Sequence, residues 1–284
     1  MKAIAEWLLA KGWRVPLTFV LMAVVPDQTG QLAILAAISG TAILAVATLR
    51  SGFGRGLELG ITGVLAVAVL SHVMERVEPG VAHPDLLVRV SMWAPALVCA
   101  AVIRRTRSLT LGVQVLLLIG LGVMGLVFLL ADPYAYWLTL ELEPKYARVW
   151  TGISVAAVAL FVAIALLLAH HGERSGRTQE HWGFDTLAMG KGVAMVSAVL
   201  MLISVLVPEQ LYIANAVIVL GVGFALQGLA VASAWMEGRG FSGMWAVALY
   251  AGMLLSSVVT LPLMVGIGFI DNWLQLRQRW RVQR

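Results

Sequence analysis

Long apolar runs separated by short polar clusters organise this chain from one end to the other. A helix needs about 20 apolar residues to cross the hydrocarbon of a bilayer, and backbone groups in lipid must find their partners within the segment. On that basis nine apolar segments can be marked, near residues 15–25, 32–49, 57–73, 86–103, 109–130, 150–169, 187–207, 211–235 and 244–270. The pattern predicts an all-α fold: a polytopic transmembrane helix bundle of about eight to nine membrane segments, forming a single integral membrane domain over residues 1–284. Residues 1–14 mix Lys2, Glu6, Lys11 and Arg14 with Trp7, Leu8, Leu9 and Trp13, and no small-residue cleavage site follows. They read as an interfacial amphipathic start whose tryptophans sit at headgroup level.

Orientation follows from the basic residues at the segment ends. Lys2, Lys11 and Arg14, then Arg50 and Arg55, then Arg104, Arg105 and Arg107, then Arg174 and Arg177, then Arg239 fall in every second loop, so the amino terminus is expected in the cytoplasm. The alternate loops are acidic or neutral. One of them, residues 132–148 with Tyr134, Tyr136, Trp137 and Tyr146, reads as an outer interfacial helix. Nine full crossings would leave Arg277, Arg279, Arg281 and Arg284 outside, against the same rule. The last segment is long and contains Pro262 and several glycines, so a break or partial re-entry there is the preferred explanation, and residues 271–284 read as a basic amphipathic cytoplasmic tail.

Composition supports lipid as the solvent of the protein surface. Hydrophobic residues make up 60% of the chain and charged residues 12%, where a soluble domain carries about 25% charged residues; mean hydropathy is +0.90. The net charge of +5 resides in residues flanking apolar runs, so nucleic acid is not an expected partner. Cys99 is the one cysteine, which excludes an intrachain disulfide and a cysteine metal cluster.

Ionisable residues at membrane depth carry the strongest functional signal. Glu58, His72, Arg89, Lys191 and Asp271 all lie within a turn or two of a segment end and read as interfacial charges that snorkel. Deeper polar residues are Gln114, Asn215 and Gln227, with Ser256, Ser257 and Thr260 in the last segment. Gln114, Asn215, Gln227 and Ser257 are the candidates for solute contact, against the plainer reading of interhelical hydrogen bonds. His170, His171, Glu173, His181 and Asp185 match no rigid ligand spacing and read as a solvated loop, so no metal site is expected. There is no nucleophile elbow, phosphate-binding loop or paired carboxylate, so neither catalysis nor a cofactor is expected. Gly120-x-Gly122-x-x-Gly125 lies in an apolar helix without a preceding strand and reads as helix packing.

At the end of the chain, Asp271 and Asn272 are expected to stop the last helix, Trp273 to anchor it, and Arg277 to lie on the basic face of the tail, with Arg50 a possible ionic partner of Asp271. Four fragments taken together carry a family resemblance: Thr48-Leu49-Arg50-Ser51-Gly52; Phe184 followed by Leu187; Gln227-Gly228-Leu229-Ala230; and the run from Gly268 through Asp271-Asn272-Trp273 to Arg277. The chain resembles the YybS-like family of bacterial membrane proteins, whose activity is unassigned and which is considered similar to the S components of energy-coupling-factor transporters. That resemblance implies a multi-pass protein of the bacterial inner membrane that binds a small molecule between helices. It further implies a separate coupling subunit and ATPases as partners. The competing expectation is an accessory or scaffold protein that binds other membrane proteins or lipids without transport or catalysis.

Overall fold

The computed structural model describes residues 14–23, 31–77, 86–174, 184–239 and 257–277. Every regular element among them is helical, with no strand: α1 (Arg14–Ala23), α2 (Gln31–Ser51), α3 (Phe53–Val77), α4 (Leu86–Thr106), α5 (Leu109–Leu130), α6 (Pro133–Thr139), α7 (Pro144–Ala147), α8 (Trp150–Arg174), a 3₁₀ turn (Phe184–Thr186), α9 (Lys191–Leu206), α10 (Leu211–Gly238) and α11 (Ser257–Leu274). Five helices are long and apolar enough to cross a membrane, over Ala33–Ser51, Phe53–Val73, Leu109–Leu130, Trp150–Ala169 and Leu211–Met236. This count is of the described residues and fits a membrane protein, while the nine segments expected are not all covered by it. Of the remaining segments, α1 has 10 residues and α9 has 16, and the first side chains of α4 and α11 lie outside the described residues. At about 1.5 Å per residue, α9 reaches roughly 24 Å, short of a hydrocarbon core of about 30 Å.

The chain divides into two compact units, residues 1–112 with 158–180, and residues 113–157 with 181–284. In the first, α2 and α3 form a hairpin closed at Gly52, whose φ of +100° only glycine adopts without strain. Gly52 N–H donates to Thr48 O at 3.0 Å, and the Arg104 guanidinium donates to Leu49 O at 2.9 Å, so the exposed carbonyls at the end of α2 are satisfied. Inside, Phe19 stacks on Trp93 with ring centroids 5.0 Å apart over Gly63, where a Cβ would collide with both rings. Thr41 and Thr48 return their hydroxyls to carbonyls one turn earlier at 2.7 and 2.9 Å, as buried helical threonines do. Arg50 is exposed, Arg55 pairs with Glu58 at 2.7 Å on the surface, and His72 is exposed. Arg89, expected at an interface, is instead 1% exposed inside this unit.

The second unit is arranged around α10. α5 runs antiparallel to it: Leu117 faces Gly223, Gly120 faces Val219 and Gly125 faces Tyr212. α11 runs parallel to α10, because Gly221 lies against Val265, Phe224 against Gly268 and Gln227 against Asp271, both numbers rising together. The two helices cross at contact distance through Gly228 and Gly268, each seated against the other's backbone. Parallel packing puts the end of α11 on the same side of the unit as the end of α10. Residues 132–148 form two short helices instead of one, α6 and α7; Asp132 caps the first by accepting from Ala135 N at 3.1 Å. Trp137 ties them to α8 through Thr151 Oγ1 at 2.8 Å. Residues 1–13 and 278–284, which cover most of the amphipathic start and the basic tail, lie outside the described residues.

Candidate functional site

Chain geometry brings four separate pieces of the second unit to one level. α5 and α11 both present their residues beside the Gln227 turn of α10, and the non-helical residues 187–190 enter at that same turn. Leu187 and Met189 are buried apolar anchors; Gly223 makes room for the Met189 thioether, since a Cβ there would lie 2.8 Å from Sδ. Gly190 turns the chain into α9 with φ of +87°, again a backbone position suited to glycine.

An unwound backbone stretch among helices needs hydrogen-bond partners of its own. Side chains supply them. Gln114 Nε2 donates to Met189 O at 3.0 Å, Met189 N donates to Gln227 Oε1 at 2.8 Å, and Gly190 N donates to Asn272 Oδ1 at 3.0 Å. The Asn272 amide is held in turn by Gly268 O at 3.0 Å and Phe269 O at 3.2 Å. Gln227, on its other side, donates from Nε2 to Asp271 Oδ2 at 2.9 Å.

Asp271 is 3% exposed. Its cation is Arg277, six residues on: α11 ends at Leu274, Gln275 takes a left-handed φ of 48°, and the chain folds back so that Arg277 Nη2 and Nε reach Oδ2 at 2.7 and 3.2 Å. Both side chains are largely removed from solvent, 2% and 11% exposed for Asp271 and Arg277. Two expectations are thereby corrected. Asp271 is a buried ionic group at the level of Gln227 and not a snorkelling interfacial charge, and Arg277 turns inward instead of lying on the outer face of a tail. The expected partner Arg50 belongs to the other unit, whereas Gln227 and Arg277, which donate to Asp271, come from its own. The physical reason is the left-handed turn at Gln275, which returns the cation to its own helix end. Among the described residues three N–H donors converge on Oδ2, and none reaches the buried Oδ1.

Of the four residues singled out for solute contact, Gln114 and Gln227 therefore share one cluster. Asn215 lies elsewhere, towards the other end of α10, where its amide accepts from Gly152 N and donates to Arg148 O and Leu211 O, both at 2.7 Å. Gly152 packs so closely there that a Cβ would lie 2.8 Å from the Asn215 backbone, which makes Asn215 a packing residue between α8 and α10. The Ser257 side chain lies outside the described residues, as do those of Ser256, His170, His171, Glu173, His181 and Asp185. Among the described residues no group of three His, Cys, Asp or Glu is placed to hold a metal. Trp273 is part-exposed and stacks on Phe269 at 4.8 Å. The backbone of Met189 and Gly190 was not foreseen as part of the site; the available signal was Gly190-Lys191-Gly192, a double glycine at the head of an apolar run too short to span.

Comparisons with protein-family models, with curated proteins and with solved structures give no match. The resemblance to the YybS-like family accordingly rests on the four sequence fragments alone, and the class defined by the fold is, among the described residues, an all-helical protein with five helices apolar enough to span a bilayer.

Proposed function

We propose that this protein is a solute-binding or transport component of a bacterial inner membrane, non-catalytic, with its site at the cluster formed by residues 187–190, Gln227 and Asp271. The observation that carries this reading is the unwound backbone at 187–190, held by buried side chains at the level of a buried ion pair. Discontinuous helices whose freed backbone groups and charged side chains meet within the membrane are the device by which many transporters build their sites. Ionic groups at that depth cost energy and mark solute or ion pathways by default. Gln227 lies nine residues before the Met236 end of the apolar stretch 211–236, about 14 Å along the helix, so a spanning α10 would carry the Asp271–Arg277 pair within the hydrocarbon, which supports the reading. The S-component analogy of the YybS-like resemblance points in the same direction by fold-level association, and with it to a coupling subunit and ATPases as partners. The positive-inside pattern supports a cytoplasmic amino terminus.

A scaffold role is the second reading. It is favoured by the fact that Gln114 and Asn215 spend their amides on neighbouring backbone and that Gln227 Oε1 accepts from Met189 N, as interhelical packing requires. Purification from native membranes in mild detergent, with mass spectrometry of co-purifying proteins and small molecules, separates the two. One stoichiometric metabolite, or an ATPase pair with a coupling subunit, is the expected result. Unrelated membrane proteins with no bound solute would transfer the protein to the scaffold class.

A further inference from the structure

Two features of the Asp271 carboxylate do not belong to an ordinary structural ion pair. An arginine fork facing a carboxylate normally uses both oxygens, since two parallel N–H···O bonds give the strongest and most directional arrangement. Here Nε and Nη2 of Arg277 both go to Oδ2, and Gln227 adds a third donor to the same atom. Oδ1 is fully buried and has no partner among the described residues. A buried polar atom in that condition is normally matched by an ion, a water or a ligand, and leaving it unmatched carries a desolvation cost.

The surrounding charge decides what kind of group completes it. Arg277 already neutralises the carboxylate. The start of α9 adds the positive end of a helix dipole to the same turn, and among the described residues the ionisable side chain at that start is Lys191, which is exposed; α5 contributes uncharged Gln114 and α10 uncharged Gln227. A further cation would therefore enter a region already balanced towards positive, in a low-dielectric interior where like charges are weakly screened. An anion would face a carboxylate oxygen. An uncharged group bearing an N–H or O–H meets neither penalty and supplies the one missing hydrogen bond. Gly190 and Gly192 are exposed and face open space on the outer side of the same turn, so the backbone next to the cluster is unobstructed by side chains.

We infer that Asp271 Oδ1 is the hydrogen-bond acceptor for an uncharged N–H- or O–H-bearing group of the solute, with Arg277 and Gln227 holding the carboxylate in position through Oδ2. This rests on the solute-binding reading and narrows it from any small molecule to one that presents a neutral donor.

The test uses three probes of similar size and different charge, acetamide, methylammonium and acetate, added to the purified full chain in lipid nanodiscs. The readout is the infrared difference spectrum in the carboxylate region. Acetamide is expected to shift the antisymmetric carboxylate band of Asp271, a shift lost in Asp271→Asn; methylammonium and acetate are expected to leave it in place. Asp271→Glu, which retains a carboxylate for Arg277, moves the band to the glutamate position and serves where the asparagine variant does not fold. A response to methylammonium alone would make this a cation site and overturn the inference. So would a band that follows exchange into H₂¹⁸O and ignores acetamide, because a structural water would then be the partner of Oδ1. If a metabolite co-purifies with the wild type while acetamide leaves the band unmoved, the neutral-donor inference fails and the solute-binding reading stands; if neither occurs, both fail.

Discussion

Gly268→Ala tests the contact on which the whole cluster depends. A Cβ at this position would overlap the Phe224 carbonyl oxygen and lie 2.6 Å from Gly228 N, both backbone atoms of α10. No rotamer change relieves a collision with backbone, so α10 and α11 must part until those distances reach ordinary contact. Overpacking of this kind costs about 1–3 kcal/mol. Parting the helices also strains the 2.9 Å hydrogen bond from Gln227 to Asp271 a turn further on, and a bond to a charged group contributes about 1.5–3 kcal/mol. Together they give an expected destabilisation of about 2.5–6 kcal/mol. Gly266, two residues away in the same helix, has nothing within 4 Å of a Cβ, so Gly266→Ala is expected to be neutral or to stabilise by up to about 1 kcal/mol through helix propensity. Reversible unfolding in mixed SDS and lipid micelles compares the two directly. A difference below about 0.5 kcal/mol, the ordinary spread of inconsequential substitutions, would show that the helices do not cross through Gly268 and would remove the basis for the Gln227–Asp271 alignment.

Arg277→Ala strands a buried carboxylate and is expected to cost about 3–5 kcal/mol in the same assay; combined with Asp271→Asn it should cost less than the sum of the single changes, and strict additivity would deny the pair. Asn215→Ala leaves buried backbone groups of Gly152, Arg148 and Leu211 without their partner, for a loss of about 1–3 kcal/mol, and should leave the yield of any co-purified solute unchanged; loss of solute at full stability would return Asn215 to the binding residues. Gln227→Leu removes the acceptor of Met189 N, so peptides covering residues 187–190 should exchange amide hydrogen roughly fivefold faster, as expected for a net bond of about 1 kcal/mol, with α5 unchanged; equal exchange would show that the non-helical stretch does not depend on Gln227. A cysteine replacing Arg284 and one replacing Arg239 should be labelled by an impermeant thiol reagent from the same side of the membrane, as the parallel packing of α10 and α11 requires. Labelling from opposite sides would contradict that topology.

What could be read from the sequence divides along physical lines. Apolar runs set helices wherever backbone hydrogen bonding is confined to the segment, so α2, α3, α5, α8 and α10 fall close to the segments marked from hydropathy alone. Hydropathy carries no direction, and it cannot tell which neighbour a residue at the end of an apolar run meets. Asp271, read as a snorkelling interfacial charge, is buried against Gln227 of α10. Hydropathy put Arg277 on an outer face because helical periodicity was continued past a left-handed residue, Gln275, that a glutamine does not announce. Of the polar candidates, residue type identified Gln114, Asn215 and Gln227 as partners of something buried, and could not separate the amide that joins α8 to α10 from the two that hold residues 187–190.

The end of the chain carries a conflict that charge counting left open. Nine crossings put Arg277 and the arginines after it on the side that the positive-inside rule forbids. In the second unit Gly221 and Val265 share one level and Gln227 and Asp271 the next, so the described end of α11 lies on the same side of the unit as the end of α10. The same geometry explains why Asp271 can be buried at all. A carboxylate carried to that depth by a helix ending within the unit needs a cation that arrives from beyond the helix, and the left-handed turn at Gln275 delivers Arg277 to it at 2.7 Å. The residue that a charge count assigns to membrane topology is therefore the residue that neutralises the candidate site.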